Sequence, residues 1–347
     1  MTSKITLDEY RYEEIYPSFK AATDEKVLTA NLNRKFLLLL RDAGIVLAGN
    51  APVRVADIGS GPCDTIVKYL SGLDFAPGFI IRATDSNPIY ADPVHGAAAA
   101  ALNAVKLAGA IPLIDFAVKP GDAFAGKLLD LLSTNSGKTP SSFRLIYASH
   151  MFYHAEDPHG CERLLADIVK NVMARDGVCV LYHLANSPGT FQHFRSRYGR
   201  KPRRGLSDTP ALAVIDPPAA IAECCSSLGI PLADIEFSAR LQFGSLRGDD
   251  WEAIKDPENF ADLSRRIPGA YDDLKRLLFI VQRAPREFAA DKSMSGLDAF
   301  IDEIRPVMES GGGCLPLAEA MQIMWHPDAS AGFKRKIREI IAILREN

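Results

Sequence analysis

Val53-Arg-Val-Ala-Asp-Ile58, followed by Gly59-Ser-Gly-Pro-Cys-Asp64, is the stretch whose reading decides the fold. Its first six residues read as a buried strand. Gly59-Ser60-Gly61 ends that strand in a tight turn leading into a helix, predicted roughly over Thr65 to Leu70. In a doubly wound sheet, such a turn lies at the carboxyl end of the first strand, in the crevice where ligands bind. Glycine lets the backbone approach a bound nucleoside closely, which a side chain would block.

The same alternation continues downstream. Phe79 to Ala83 is predicted as a second strand ending at Thr84-Asp85, and the alanine-rich segment His95 to Ala108 as a helix. Leu113 to Val118, Phe143 to Tyr147 and Gly177 to Tyr182 read as the third, fourth and fifth strands. A short helix running into a loop lies between Leu128 and Pro140, and an amphipathic helix spans Cys161 to Met173. Strands alternating with helices imply parallel crossovers with helices on both faces, an α/β fold with a doubly wound, mostly parallel sheet.

Beyond residue 185 the pattern loosens. Ile221 to Leu228 reads as a helix, and Ile235 to Phe243 as a strand returning to the sheet edge. Leu274 to Val281 is apolar enough for a buried strand or helix, with a break near Pro285 to Asp291. Gly311-Gly-Gly313 reads as a flexible hinge. The apolar stripe Leu315 to Trp325 is taken as a packed helix, with a lid or a dimer contact as the other uses, and Phe333 to Leu344 as a basic terminal helix. At the other end, Leu28, Leu32, Phe36, Leu37 and Leu40 recur at helical spacing behind an aromatic lead of Tyr10, Tyr12, Tyr16 and Phe19. The expected plan is an N-terminal helical cap over 1–50, a main domain over 51–285 with substrate-pocket insertions, and a helical C-terminal extension over 286–347.

Composition narrows the function. Of 347 residues 24% are charged, which rules out a generally disordered chain. The net charge of −3 lacks the basic excess of a phosphate-backbone binder, so nucleic acid is not an expected partner. Arg195 to Arg204, the most basic stretch, reads as a solvated loop. No apolar run approaches the roughly 20 residues of a membrane span, and MTSKITLDEYRYEE lacks the apolar core of a signal peptide. A soluble, cytoplasmic protein is expected. Six cysteines without a CxxC pair read as reduced thiols, with no structural metal.

Three positions at successive strand ends point to a nucleoside. Asp57 and the turn Gly59, Ser60 and Gly61 close the first strand. Asp85, at the end of the second, can accept both ribose hydroxyls, and Asp122, after the third, can pair with an adenine amino group. The plainer reading is of turns capped by Asp. A dinucleotide fingerprint wants a third glycine where Asp64 stands, and an acid there would repel a pyrophosphate. A cofactor without phosphates and with a cationic end suits the site, namely S-adenosylmethionine, leaving NAD or FAD as the minor reading.

Here the chain resembles the class I S-adenosylmethionine-dependent methyltransferases over roughly Val53 to Tyr182, through VADIGSG, ATDSNP, PGDAF and the strand before Ser149. The resemblance implies Gly59, Gly61 and Asp85 as cofactor contacts, Asp122 on adenine, and Ser149 and His150 near the methionine end. Tyr16-Pro-Ser-Phe19, IYASHMFYHAED (Ile146 to Asp157) and LANSPGTFQHFRSRYG (Leu184 to Gly199) further resemble segments of histamine N-methyltransferase and its relatives, in the same order. That implies methylation of a small acceptor at nitrogen, in a pocket formed by the N-terminal cap and the loop after the fourth strand.

His150-Met-Phe-Tyr153-His154 follows the fourth strand, so its side chains emerge at the crevice mouth. His150 and His154 can take a proton from an acceptor, and Tyr153 can donate a hydrogen bond or stack. A zinc ion on His150 and His154 would lack a third ligand, so no metal is expected. Tyr16, Phe19 and Phe243 are candidate substrate contacts, Tyr16, Tyr153 and Phe243 as aromatic faces toward a developing cation. The expected partner is a small-molecule methyl acceptor, the protein being a monomer or homodimer. Oxygen or carbon methylation with a histidine base, a nicotinamide-linked oxidoreductase and a non-catalytic nucleoside binder are the other readings.

Overall fold

The computed structural model describes residues 12–133, 142–152, 155, 158–199, 216–255, 263, 265–283, 290–291 and 296–346, with backbone alone at 12–14 and 158. Two helices come first, α1 (Tyr12–Ala22) and α2 (Glu25–Asp42). The alternating region then runs β1 (Val53–Ile58), α3 (Asp64–Leu70), β2 (Phe79–Asp85), α4 (Pro88–Ala91), α5 (Ala97–Ala108), β3 (Leu113–Pro120), α6 (Leu128–Leu132), β4 (Phe143–Ser149), α7 (Pro158–Asp167) and β5 (Met173–Leu184). The helix predicted over Cys161 to Met173 is α7 continued by one π-helical turn, Ile168–Val172. The remaining elements are α8 (Phe191–Tyr198), α9 (Pro217–Leu228), β6 (Leu232–Gln242), α10 (Asp250–Ile254), α11 (Ala270–Val281), α12 (Leu297–Ser310), β7 (Cys314–Trp325) and α13 (Ala331–Arg345).

All seven strands join one sheet in the order β3-β2-β1-β4-β5-β7-β6. β1 to β5 are mutually parallel, and β7 runs antiparallel to both its neighbours. This is the doubly wound, Rossmann-like architecture expected from the sequence. The chain winds outward from β1 to β3, returns to β4 on the other side of β1, and winds the other way. The loops after β1 and β4 therefore diverge, opening a crevice at the carboxyl ends of the two central strands. Both strands are covered on both faces, which is why they read as continuous apolar runs.

Residues 314–325 depart furthest from the pattern that their sequence suggests. The stripe taken as a helix is β7, inserted between β5 and β6. A strand buried on both faces has no polar side, so its apolar run mimics a packed helix. Pro316 is tolerated because β5 pairs with β7 only from Glu319 onward, leaving one bonded neighbour at that end. Gly311 to Gly313 is a fixed turn rather than a loose hinge. Gly312 and Gly313 adopt φ of 63° and 85°, and a Cβ on Gly313 would lie 2.8 Å from the Phe243 carbonyl oxygen. The final segment is thus no purely helical extension, since it completes the sheet.

Two cores line the sheet faces. On one, Phe36, Leu37 and Leu40 of α2 and Phe333, Ile337 and Ile341 of α13 meet Val55, Tyr147, Tyr182 and Met321. On the other, Leu164 and Leu165 of α7 and Ile221 of α9 meet Ala56, Ile146 and Leu181. A third core builds a helical cap over the carboxyl end of the sheet from α1, α8, α10, α11 and α12 together with Ala239, Leu241 and Leu317. The cap therefore draws on segments across the chain, whereas α2, expected in the cap, packs as a layer of the sheet. Arg195 and Arg197 belong to α8 rather than to a loop, and Arg197 Nε lies 3.3 Å from Glu303 Oε2.

Candidate active site at the switch point

The glycine turn is built as its sequence requires. Gly59 and Gly61 adopt φ of 69° and 51°, in the left-handed region. The N–H groups of Gly59 and Ser60 both donate to the Thr84 carbonyl, at 2.8 and 3.0 Å, tying the turn to the end of β2. A Cβ on Gly59 would stand 2.9 Å from Met151 Cβ, whereas one on Gly61 would meet nothing within 4 Å. The turn thus packs against the segment after β4 on one side and leaves room on the other.

Asp85 holds this corner together. One carboxylate oxygen accepts from Gly61 N–H and the other from Asn87 N–H, each at 2.8 Å. Each oxygen keeps a lone pair for a ligand hydroxyl. Asp122 caps its own turn, Oδ1 accepting from Phe124 N–H at 2.8 Å, and its side chain is exposed at the end of β3. Both acids therefore serve the local turns at the ends of their strands.

Asp57 is the unusual member. It is 5% exposed, and its Oδ2 has no hydrogen-bond partner among the described residues. Burial, with the neighbouring charges of Asp85 and Asp64, pushes its carboxyl up to about 7. Ser149, at the end of β4, likewise has a buried Oγ without a partner. Asp64 at the start of α3 is ion-paired to Lys20 of α1, which lowers its power to repel an anion below what the sequence suggested.

The α2 side of the crevice holds a second cluster. His150 follows β4 with φ of 53°, its N–H bonded to the Tyr182 carbonyl at 2.8 Å. That conformation turns the imidazole toward α2, where Nε2 lies 2.9 Å from Glu25 Oε1. The Lys26 ammonium is 3.0 Å from the same oxygen. Burial opposes ionisation of Glu25, but Lys26 and His150 hold its carboxyl well below the usual range. Burial likewise opposes the Lys26 charge, and Glu25 beside it more than compensates, raising its ammonium above the ordinary range. Glu319 of β7 joins them, 1% exposed, with neither carboxylate oxygen bonded. Burial, then the nearby charge of Glu25, pushes its carboxyl well up. Beneath lie the packed rings of Tyr69, Tyr147 and Tyr182.

The structure brings Asp57, Gly59, Ser60, Gly61, Asp85 and Ser149 to the crevice with His150 beside them. Tyr153 and His154 lie outside the described residues. Tyr16 and Phe19 meet Phe279 at ring-centroid distances of 5.6 and 4.3 Å, forming an aromatic patch under α1. Phe243, expected beside the acceptor, is 2% exposed and sits in the core of the cap. Its position continues the inward alternation of β6, a packing role that a one-dimensional reading cannot separate from a pocket wall. Lys20, Glu25, Lys26 and Glu319 were not singled out. Each gains meaning only from a partner far along the chain.

No family model matches the chain, and no curated protein matches it. Solved structures resemble it at low identity. The plantazolicin methyltransferase BpumL, solved with S-adenosylhomocysteine, is 9% identical with a TM-score of 0.43, covering 90% of each chain. The YcgJ protein of Bacillus subtilis is 14% identical at a TM-score of 0.41, covering 84% of this chain and 98% of that one. A phosphoethanolamine N-methyltransferase of Haemonchus contortus, solved with phosphomonomethylethanolamine and S-adenosylhomocysteine, is 13% identical at 0.38, covering 84% and 52%. At these scores none specifies a ligand for this chain. Among the described residues no helix is long and apolar enough to cross a membrane.

Proposed function

We propose that the protein is an S-adenosylmethionine-dependent methyltransferase acting on a small-molecule acceptor, with nitrogen as the preferred atom. One observation carries the reading. A buried Asp57 carboxyl, its Oδ2 without a partner, lies behind a left-handed glycine turn and beside Asp85, at the point where the sheet reverses its winding. A buried carboxylate oxygen without a donor is costly, and a cationic guest removes that cost.

The residues fit such a guest. Gly59 to Gly61 would admit the nucleoside, Asp85 would take the ribose hydroxyls, and Asp122 the adenine edge. Asp57 and Ser149 would meet the amino-acid end. S-adenosylmethionine, when bound, supplies an electrophilic methyl group on a sulfonium. The chain's contribution is orientation and exclusion of water, with the cap and the Tyr16–Phe19–Phe279 patch closing the acceptor side. A neutral amine needs no strong base, so this arrangement suffices for nitrogen.

The Glu25–His150 pair favours a second reading, methylation at oxygen or carbon. An imidazole held by a carboxylate can accept the proton of a phenol or an acidic carbon. Calorimetry with S-adenosylmethionine, S-adenosylhomocysteine and NAD, on wild type and Asp85→Ala, tests the class. Micromolar binding of the sulfur compounds, lost in the variant, is expected. Binding of NAD alone, or of none, would overturn the proposal, and turnover of amines against phenols separates its two forms.

A further inference from the structure

We propose that Glu25, His150 and Glu319 form a binding site for one divalent transition-metal ion. The site stands on geometry independent of the methyltransferase reading. One imidazole nitrogen and one oxygen from each carboxylate all lie within 4.8 Å of one another. Bonds of about 2.1 Å place two ligands at most about 4.2 Å apart across an ion, so small side-chain adjustments complete the site. The three groups come from the start of α2, the end of β4 and the middle of β7, and rigid elements of the sheet and its covering layer hold each of them.

Glu319 is the second, separate observation. Side chains alternate along β7, so Glu319 projects from the same face as Met321 and Ile323, into the layer occupied by α2 and Tyr182. At 1% exposed, with both oxygens unbonded, it is a buried acceptor with no donor. A proton would only exchange this deficit for an unpaired hydroxyl. A cation bridging Glu319 to Glu25 satisfies both carboxylates at once and removes their mutual repulsion. The cluster already gathers one positive group, since the Lys26 ammonium is on Glu25 Oε1 at 3.0 Å. A bound ion would displace Lys26 from that oxygen, making Lys26 the competitor of the metal.

The donor chemistry narrows the ion. One imidazole and two carboxylates, with no thiolate, suit Mn2+, Fe2+ or Zn2+ better than Ca2+ or Mg2+, which prefer oxygen alone. Three protein ligands would leave positions open toward the crevice. Occupancy of His150 Nε2 by metal excludes that nitrogen as a base, so the two uses of His150 are distinguishable.

The test uses the full chain, stripped with chelator and titrated with MnCl2, free Mn2+ being read from its paramagnetic resonance signal. Mn2+ also avoids the free thiols, two of which, Cys224 and Cys314, are partly exposed. One Mn2+ per chain is expected. Affinity should fall about tenfold or more in Glu319→Gln and in His150→Gln, and rise in Lys26→Met. Mg2+ at equal concentration should not compete. Absence of binding by wild type at millimolar Mn2+, or binding unchanged in Glu319→Gln, would overturn the proposal. Glu319→Gln keeps shape and replaces a buried carboxyl by a neutral amide, so it is expected to fold about as well as wild type without metal. It decides the question even if His150→Gln does not fold.

Discussion

His150 Nε2 lies 2.9 Å from Glu25 Oε1, joining residues 125 positions apart. The contact ties the first turn of α2 to the end of β4, at one side of the crevice. Lys26 completes a triad with them around the buried Glu25 carboxylate. Glu25→Ala leaves the Lys26 ammonium without its main partner in a site that is nearly closed to water. Removing one member of such a pair costs about 3–5 kcal/mol. Urea unfolding is expected to show a loss of that order, and Glu25→Ala with Lys26→Met should recover much of it. Equal stability of Glu25→Ala and wild type would mean that the triad is not closed in solution.

Asp57 gives a pH dependence with a definite sign. Its carboxyl is raised from 3.8 to about 7, burial being the main cause. Between those values the folded chain keeps a proton that the unfolded chain releases. Stability therefore falls as pH rises from about 4 to about 7, by up to roughly 4 kcal/mol, and then levels off. Asp57→Asn should be flatter over that window and more stable than wild type at pH 8. Cofactor binding should run the other way, tightening as Asp57 ionises near pH 7, with Asp57→Asn binding weakly at every pH. Unfolding midpoints and calorimetry at pH 5 and pH 8 check both slopes.

The two glycines of the turn should separate folding from binding. Gly59→Ala forces a left-handed alanine and a clash with Met151 Cβ at 2.9 Å. Gly61→Ala meets the same backbone strain, about 1–2 kcal/mol, but open space. Gly59→Ala is expected to lose more stability, while Gly61→Ala stays folded and loses cofactor affinity because its methyl group occupies the approach. Thermal melts with and without S-adenosylhomocysteine would show the split. Equal stabilisation of wild type and Gly61→Ala by the ligand would count against the placement of the nucleoside at this turn.

β7 is expected to be indispensable. Met321→Pro removes a donor in a strand bonded on both sides and should cost at least about 3 kcal/mol. A chain stopped at residue 313 should not fold, whereas an appended helix could have been removed. Circular dichroism and solubility of the two variants distinguish these cases.

What was legible in the sequence was what local chemistry encodes. Val53 to Asp64 announces a strand, a left-handed turn and a helix through its own residues, and Asp85 follows at the end of β2. β7 was not legible, because burial on both faces erases the alternation that marks a strand. Nothing in their local sequence marks Glu25, Lys26 and Glu319. Their chemistry appears only when α2, β4 and β7 converge, an arrangement set by the whole topology. Asp64 showed the same limit in reverse, since its charge was readable but its pairing with Lys20 was not.

The placement of β7 also sets a schedule for assembly. β6 leaves the ribosome well before β7, yet among the described strands β7 is its only neighbour in the sheet. Until residues 314–325 emerge, β5 presents an open row of backbone donors and acceptors, and β6 has no edge to join. The nascent chain must therefore hold these strands in waiting, then admit a late antiparallel insert between them. That step brings Glu319 to Glu25 and His150, so this buried cluster is finished only when synthesis has passed residue 325, long after the glycine turn and Asp85.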